Sequence, residues 1–304
     1  MGQRHPKHTL ILSRQRSGTT LLELLIIITI ISLLMAILVP ALSGSQEAAN
    51  VARCLSNLRQ IVAIAGKYSN ETAAREHGNR PTLPWHLGAN YGGMSVSWIS
   101  EYVYGGFKAP IQHPDFPNMD AARYPAEWRP FNKYVAPGPQ RAPIDLYICP
   151  SDSSSSIVMV GETTPEPEMD VGYSSWQVNG NSYPINWYWY EDARYNGCRN
   201  YSDIDVMSSH GSDLLNSKIG GSASKFVLFM ENAMNVYMLS ARPPDGSQGE
   251  SELQRLGYGW HRKFSMYSMA MWDGHAEYRY IDTRYTADSS YNTWPDPTTP
   301  GCGY

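Results

Sequence analysis

Charge is scarce in this chain. Asp, Glu, Lys and Arg together make up 17% of 304 residues, against roughly 25% in an ordinary soluble domain. What little positive charge there is does not cluster beyond residue 18. Residues 1–18 carry Arg4, Lys7, Arg14 and Arg16 and no acid, leaving 20 basic against 28 acidic residues downstream, a net of -8. A body this acidic has nothing to neutralise phosphates with, so nucleic acid is excluded as a partner. No C-x-x-C pair occurs among the four cysteines, Cys54, Cys149, Cys198 and Cys302, which removes the zinc knuckle and the thioredoxin-type site. An even count suits two disulfides in an oxidising compartment, with three pairings open. Also missing are a P-loop, G-x-G-x-x-G, H-E-x-x-H and G-x-S-x-G, and any repeat of 20–50 residues. The expectation is a non-enzyme with no cofactor and no metal.

What the chain does have is grease at one end and aromatic rings elsewhere. From Leu21 to Leu42 it reads LLELLIIITIISLLMAILVPAL. As a helix these residues span about 33 Å, the thickness of a bilayer core. A secretory signal has a shorter apolar core, of about 7–15 residues. The basic cluster precedes the run, which puts the N-terminus in the cytoplasm and the bulk of the chain on the periplasmic or cell-surface side of the cytoplasmic membrane. The one charge in the run is Glu23. A charge inside a membrane helix costs about 2.5–3.5 kcal/mol on insertion scales, which makes it a functional candidate.

The flank reads Arg16-Ser17-Gly18-Thr19-Thr20-Leu21-Leu22-Glu23. Here the sequence resembles the type IV prepilins and type II secretion pseudopilins, with a basic leader ending in Gly, a hydrophobic helix, and Glu as fifth mature residue. Thr19 stands where that family usually has Phe; Pro40 matches a proline common in its helices. The resemblance implies a membrane peptidase that cuts after Gly18 and methylates Thr19. It also implies a role for Glu23 in assembly, pairing with the new amino group of a neighbouring subunit. The implied partners are the membrane, a prepilin peptidase and other pilin-like subunits.

Beyond Pro40 the apolar spacing becomes helical, with Val51, Leu55, Leu58, Val62, Ala65 and Tyr68 on one stripe and Arg53, Asn57, Gln60 and Lys67 on other faces. One helix is expected from about Leu21 to about Tyr68, roughly 70 Å long, with a kink at Pro40. Cys54-Leu-Ser-Asn-Leu-Arg-Gln60, Cys149-Pro-Ser-Asp152 and Ser182-Tyr183-Pro-Ile-Asn186 resemble three elements of large planctomycete-type prepilin-like proteins. A fourth element there is His, nine residues, then Asp-Gly. Here eleven residues separate His261 from Asp273-Gly274. This resemblance suggests Cys54–Cys149 as one disulfide, and by remainder Cys198–Cys302.

Strands are expected at Leu146–Cys149, Ser155–Val160, Val171–Val178 and Lys225–Met230, with a hairpin over Phe264–Trp272 and His275–Ile281 turning at Asp273-Gly274. Sheet docked on helix stripe gives an α+β fold, pilin-like by the resemblance. The expected layout is a leader over 1–18, a transmembrane helix over 19–42, an amphipathic continuation over 43–70, an outer domain over 71–282, and a polar tail over 283–304 with little to pack against unless Cys302 tethers it. Within the domain, 110–143 holds eight prolines and forms a surface insertion rather than a regular element.

Three groups carry other chemistry. Trp187, Tyr188, Trp189 and Tyr190 offer flat faces that suit a glycan or a neighbouring subunit if exposed, and a buried strand otherwise. His261, Asp273, His275 and Glu277 hold metal-ligand types, but turn chemistry explains them more simply. His210, Asp213, Asp203 and Asp205 match neither triad geometry nor EF-hand spacing. The function expected is assembly into, or association with, a secretion or pilus-like structure. The alternative is an individually anchored module that binds polysaccharide.

Overall fold

The computed structural model describes residues 20–73, 83–84, 101–111, 120–153, 173–186, 223–238 and 256–293. The chain divides into two compact units, Met1–Gln46 and Glu47–Tyr304. Helix α1 (Leu21–Ala73), 53 residues long, contributes to both and runs through Pro40 without interruption. It is long and apolar enough to cross a membrane.

In the first unit the large apolar side chains of the run are all exposed, from Leu21 at 84% to Ile31 at 44%. The few polar groups are satisfied within the helix. The hydroxyls of Thr29 and Ser32 donate to the carbonyls of Leu25 and Ile28, each at 2.7 Å, so neither needs water. At the start, Thr20 and Glu23 form a reciprocal capping box. The Thr20 amide donates to Glu23 Oε2 at 2.8 Å and the Glu23 amide donates to Thr20 Oγ1 at 3.3 Å.

In the second unit the same helix buries a stripe of Cys54, Asn57, Leu58, Ile61, Val62, Ala65, Tyr68 and Ser69. Leu58 and Ile61 are fully enclosed, each contributing about 1.5–3 kcal/mol by the usual scale for apolar burial. They share one core with three antiparallel strands, β1 (Val227–Met230), β2 (Met266–Met271) and β3 (Ala276–Tyr280), in the order β1-β2-β3. Met266 faces Tyr280 and Ala270 faces Ala276 across β2 and β3. A register shift between Val227 and Phe229 marks a bulge in β1. Strand β2 is covered on both faces beyond Met266, while β3 is half exposed at the sheet edge. Short helices α2 (Asp120–Arg123), α3 (Asn132–Val135), α4 (Ser175–Asn179) and α5 (Asn232–Met238) complete the described α+β domain.

Two expected strands take other forms. Leu146 and Tyr147 lie in a 3-10 turn over Asp145–Tyr147; the Tyr147 and Ile148 amides are used within the turn and the Asp145 and Ile148 carbonyls accept from Asn57, which leaves no ladder partner. Of Val171–Val178 the described part, from Tyr173 on, gives way to α4, for which Ser174 and Gln177 supply a capping box; residues 171–172 lie outside the described residues. That Ser-x-x-Gln signal outweighs the β-propensity of the neighbouring residues. Ser155–Val160 lies outside the described residues.

The hairpin turn also differs from the expected two-residue form. Gly274 donates to the Met271 carbonyl and Met271 donates to that of His275, so Trp272–Gly274 form a three-residue loop. Only Gly274 within it has positive φ, at 97°, the arrangement of a type I turn closed by a left-handed glycine. The first part of the polar tail, residues 283–293, packs after all. Asn292 exchanges backbone hydrogen bonds with Lys225 and Val227, and Tyr291 is fully buried. A tyrosine and paired backbone supply here what few aliphatic residues could.

Candidate functional site at the disulfide

The side chains of the sequence motifs join separate segments of the domain, those of Cys54 and Asn57 tying α1 to the 145–149 loop. Cys54 and Cys149 form a disulfide with Cα atoms 5.5 Å apart, across 95 residues of chain. One turn along α1, Asn57 Nδ2 donates to the carbonyls of Ile148 at 3.1 Å and Asp145 at 3.3 Å. Asn57 therefore faces inward rather than onto an outer face; its polarity serves buried carbonyls. Arg59 reaches the Ala276 carbonyl at 3.0 Å and ties the helix to β3.

Asp152 accepts from the first amides of α4, Ser175 at 2.8 Å and Trp176 at 3.0 Å, and from the Ser182 hydroxyl at 2.6 Å. Ser182 in turn accepts from the Cys149 amide at 3.1 Å. Asn186 donates to the carbonyls of Val227 at 2.8 Å and Thr293 at 2.7 Å. Each of these residues joins segments distant in sequence. Exchanging Cys149 for Ser is expected to lower stability by about 2–4 kcal/mol, the usual cost of releasing a long loop. The denaturation midpoint of the detergent-solubilised full chain measures this, and an unchanged midpoint counts against the bond.

His261 completes the cluster. Its side chain is fully enclosed. Nδ1 lies 2.5 Å from Glu47 Oε1 and Nε2 lies 3.8 Å from Cys149 Sγ. Ser151 Oγ donates to the same Glu47 oxygen at 2.8 Å. Burial lowers the His261 pKa, and the Glu47 hydrogen bond offsets only part of that. Burial disfavours the Glu47 charge, but the hydrogen bonds from His261 and Ser151 prevail and bring its carboxyl below the ordinary range. A neutral imidazole beside an ionised carboxylate carries its proton on Nδ1. Nε2 then carries the lone pair.

The hairpin residues do not gather around His261's nitrogens. His275 pairs with Asp273 in the turn at 2.6 Å, and Glu277 pairs with Arg279 at 3.1 Å. Among the described residues the one trio of metal-ligand types whose donor atoms lie within 4.8 Å of one another is Cys54, Cys149 and His261, the two sulfurs being joined in the disulfide. Gly18, Thr19, Trp187, Tyr188, Trp189, Tyr190, Cys198, Asp203, Asp205, His210, Asp213 and Cys302 lie outside the described residues.

Two buried ionisable side chains carry no local sequence signal strong enough to place them. Glu231, fully enclosed after β1, accepts from the amides of Trp260 at 3.2 Å and Ser268 at 3.0 Å. Burial pushes its pKa up to about 8 against those hydrogen bonds. A Cβ at Gly259 would come within 2.6 Å of its Oε1 and 2.1 Å of the Met266 carbonyl, so only glycine fits there. Arg129 is 1% exposed and donates to the carbonyls of Gly105 at 2.9 Å and Ala121 at 3.1 Å, with Tyr102 and Asn179 further off. The run Val-Leu-Phe-Met before Glu231 hinted at burial; for Arg129 no local signal exists. No protein-family model, curated protein or solved structure matches the chain.

Proposed function

We propose that this chain is a membrane-anchored, pseudopilin-like subunit. It is cut after Gly18, methylated at Thr19, and assembled into or associated with a type II secretion or type IV pilus-like structure. The observation that carries the reading is the exposed apolar first half of α1, with a lone carboxylate at its beginning. Such a surface needs lipid or the same surface on neighbouring helices to cover it. The Cys54–Cys149 bond fits a domain held on the oxidising side. The pilin-like character of the α+β domain belongs to the same proposal.

Glu23 has a defined part in it. Within its own chain the carboxylate accepts from the amide of Thr20, the residue that follows the proposed new amino terminus in sequence. In an assembled bundle a neighbour's Thr19 ammonium supplies the counter-charge and fixes the axial register.

Mass spectrometry of the native N-terminus tests the processing. The expected species begins with methylated Thr19; a chain that retains Met1, or one severed beyond Leu42, refutes the reading. Glu23→Ala is expected to leave membrane flotation unchanged. Cross-linked oligomers should drop about tenfold or more, as losing one charge-assisted contact of roughly 1.5–3 kcal/mol predicts. Glu23→Gln, which keeps the capping hydrogen bond, separates the charge from the cap. If oligomers survive both changes, Glu23 has no role in register.

A further inference from the structure

The cluster at the disulfide has donor chemistry beyond a cross-link. One nitrogen and two sulfurs, from His261, Cys54 and Cys149, lie within 4.8 Å of one another, and all three residues are buried. His261 Nε2 lies 3.8 Å from Cys149 Sγ, which has no hydrogen to donate while it is in a disulfide. Nδ1 is held by Glu47. A carboxylate on the far nitrogen is the arrangement that orients metal-ligating histidines and raises their basicity.

We propose that the Cys54–Cys149–His261 cluster is a redox-gated metal site. When a dithiol opens the bond, both sulfurs and Nε2 bind one zinc-class divalent cation. The dithiol passes two electrons and two protons to the cysteines and becomes a disulfide itself. Cation binding then displaces the two protons and leaves two thiolates. In the reverse direction an incoming disulfide takes two electrons from the thiolates, becomes a dithiol on taking up two protons, and the cation leaves.

Charge and distance both favour this occupant. Two thiolates neutralise a dication and the imidazole is neutral, so the ion and its three ligands add no net charge beside the Glu47 carboxylate. Zinc bonds of about 2.3 Å to sulfur and about 2.0–2.1 Å to nitrogen separate tetrahedral S and N ligands by roughly 3.6 Å. The observed 3.8 Å between His261 Nε2 and Cys149 Sγ is close to that, and once the bond is reduced the two sulfurs move apart to roughly 3.8 Å to share the ion. Three protein ligands leave a fourth position for a water carried in with the ion. Soft thiolates select zinc-class ions over magnesium or calcium.

The test uses the full chain in detergent, with Cys198→Ser and Cys302→Ser so that Cys54 and Cys149 are the only thiols. After anaerobic reduction with dithiothreitol and desalting, cobalt(II) is added as the probe, then zinc. One cobalt per chain is expected, with a thiolate-to-cobalt charge-transfer band that zinc abolishes and two protons released per ion. The oxidised chain should show no band. His261→Gln and Glu47→Gln should each weaken binding about tenfold or more. No band after reduction, equal uptake by the oxidised chain, or unchanged affinity in His261→Gln overturns the proposal. Should reduction alone abolish the native near-ultraviolet dichroism, zinc must restore it; failure to do so overturns the proposal as well. None of these outcomes bears on how the N-terminus is processed.

Discussion

Thermal stability should fall as pH rises from about 5 to 8, and Glu231→Gln should remove most of that slope. Glu231 is fully buried and its pKa is raised from an ordinary 4.5 to about 8. Between those values the folded chain keeps a proton that the unfolded chain has released. Its contribution is therefore complete below about pH 4.5, declines as pH climbs, and is gone above about pH 8. The full excursion is on the order of 5 kcal/mol. His261 acts in the opposite direction below about pH 6.5: burial lowers its pKa, so its contribution grows as pH climbs toward 6.5 and levels off above it. The informative quantity is thus the difference between wild type and Glu231→Gln. Glu47, Asp282 and Asp288, all held below the ordinary carboxylate range, contribute only under about pH 4.5 and do not confuse the window. Melting the detergent-solubilised chain at pH 5, 6.5 and 8 checks this. A difference that does not change with pH would show that Glu231 stays ionised in its pocket. Glu231→Ala should cost several kcal/mol at pH 5, where the Trp260 and Ser268 amides lose their acceptor, and less at pH 8, where the wild type bears the burden of an ionised Glu231 that the variant lacks.

Arg129→Ala is expected to destabilise the domain by about 3–5 kcal/mol, the range for breaking a buried charged network. The guanidinium clamps the 102–105 turn, α2 and the end of α4 through their carbonyls. The backbone crowds around it. Gly180 has φ of 74°, and a Cβ there would lie 1.8 Å from the Phe107 carbonyl and 2.9 Å from both terminal nitrogens of Arg129. Arg129→Met separates volume from hydrogen bonding. Methionine fills much of the space but leaves the carbonyls unsatisfied, so it should recover only a fraction of the loss. Full recovery in denaturant melts would mean that packing, not donation, is what Arg129 supplies.

Periodicity carried the sequence reading where it was right. The unbroken apolar run and the stripe of Leu58, Val62, Ala65 and Tyr68 located α1, and its inward face is the one that meets the sheet. The Cys54–Cys149 pair followed from the motifs they belong to. Asn57 was misplaced because a polar residue on a stripe reads as a change of face, while burial of the Ile148 and Asp145 carbonyls calls for an amide there. Leu146–Cys149 and Val171–Val178 were misjudged because β-propensity reflects packing that a loop between prolines, or a Ser174–Gln177 cap, does not offer. The partner of His261 was illegible. Glu47 lies 214 residues away, and no spacing rule reaches across such a separation. Glu231 and Arg129 belong to the same class, since a charge is buried only by contacts that the fold assembles.

The cross-link to α1 has a mechanical corollary. Traction applied along the helix reaches Cys149 through a covalent bond before it strains Asn57's contacts one turn further on. The oxidised domain therefore cannot be unzipped from that turn contact by contact, and tension must be shared over the whole fold. Cleaving that single bond would convert a shear-resistant anchorage into one that peels.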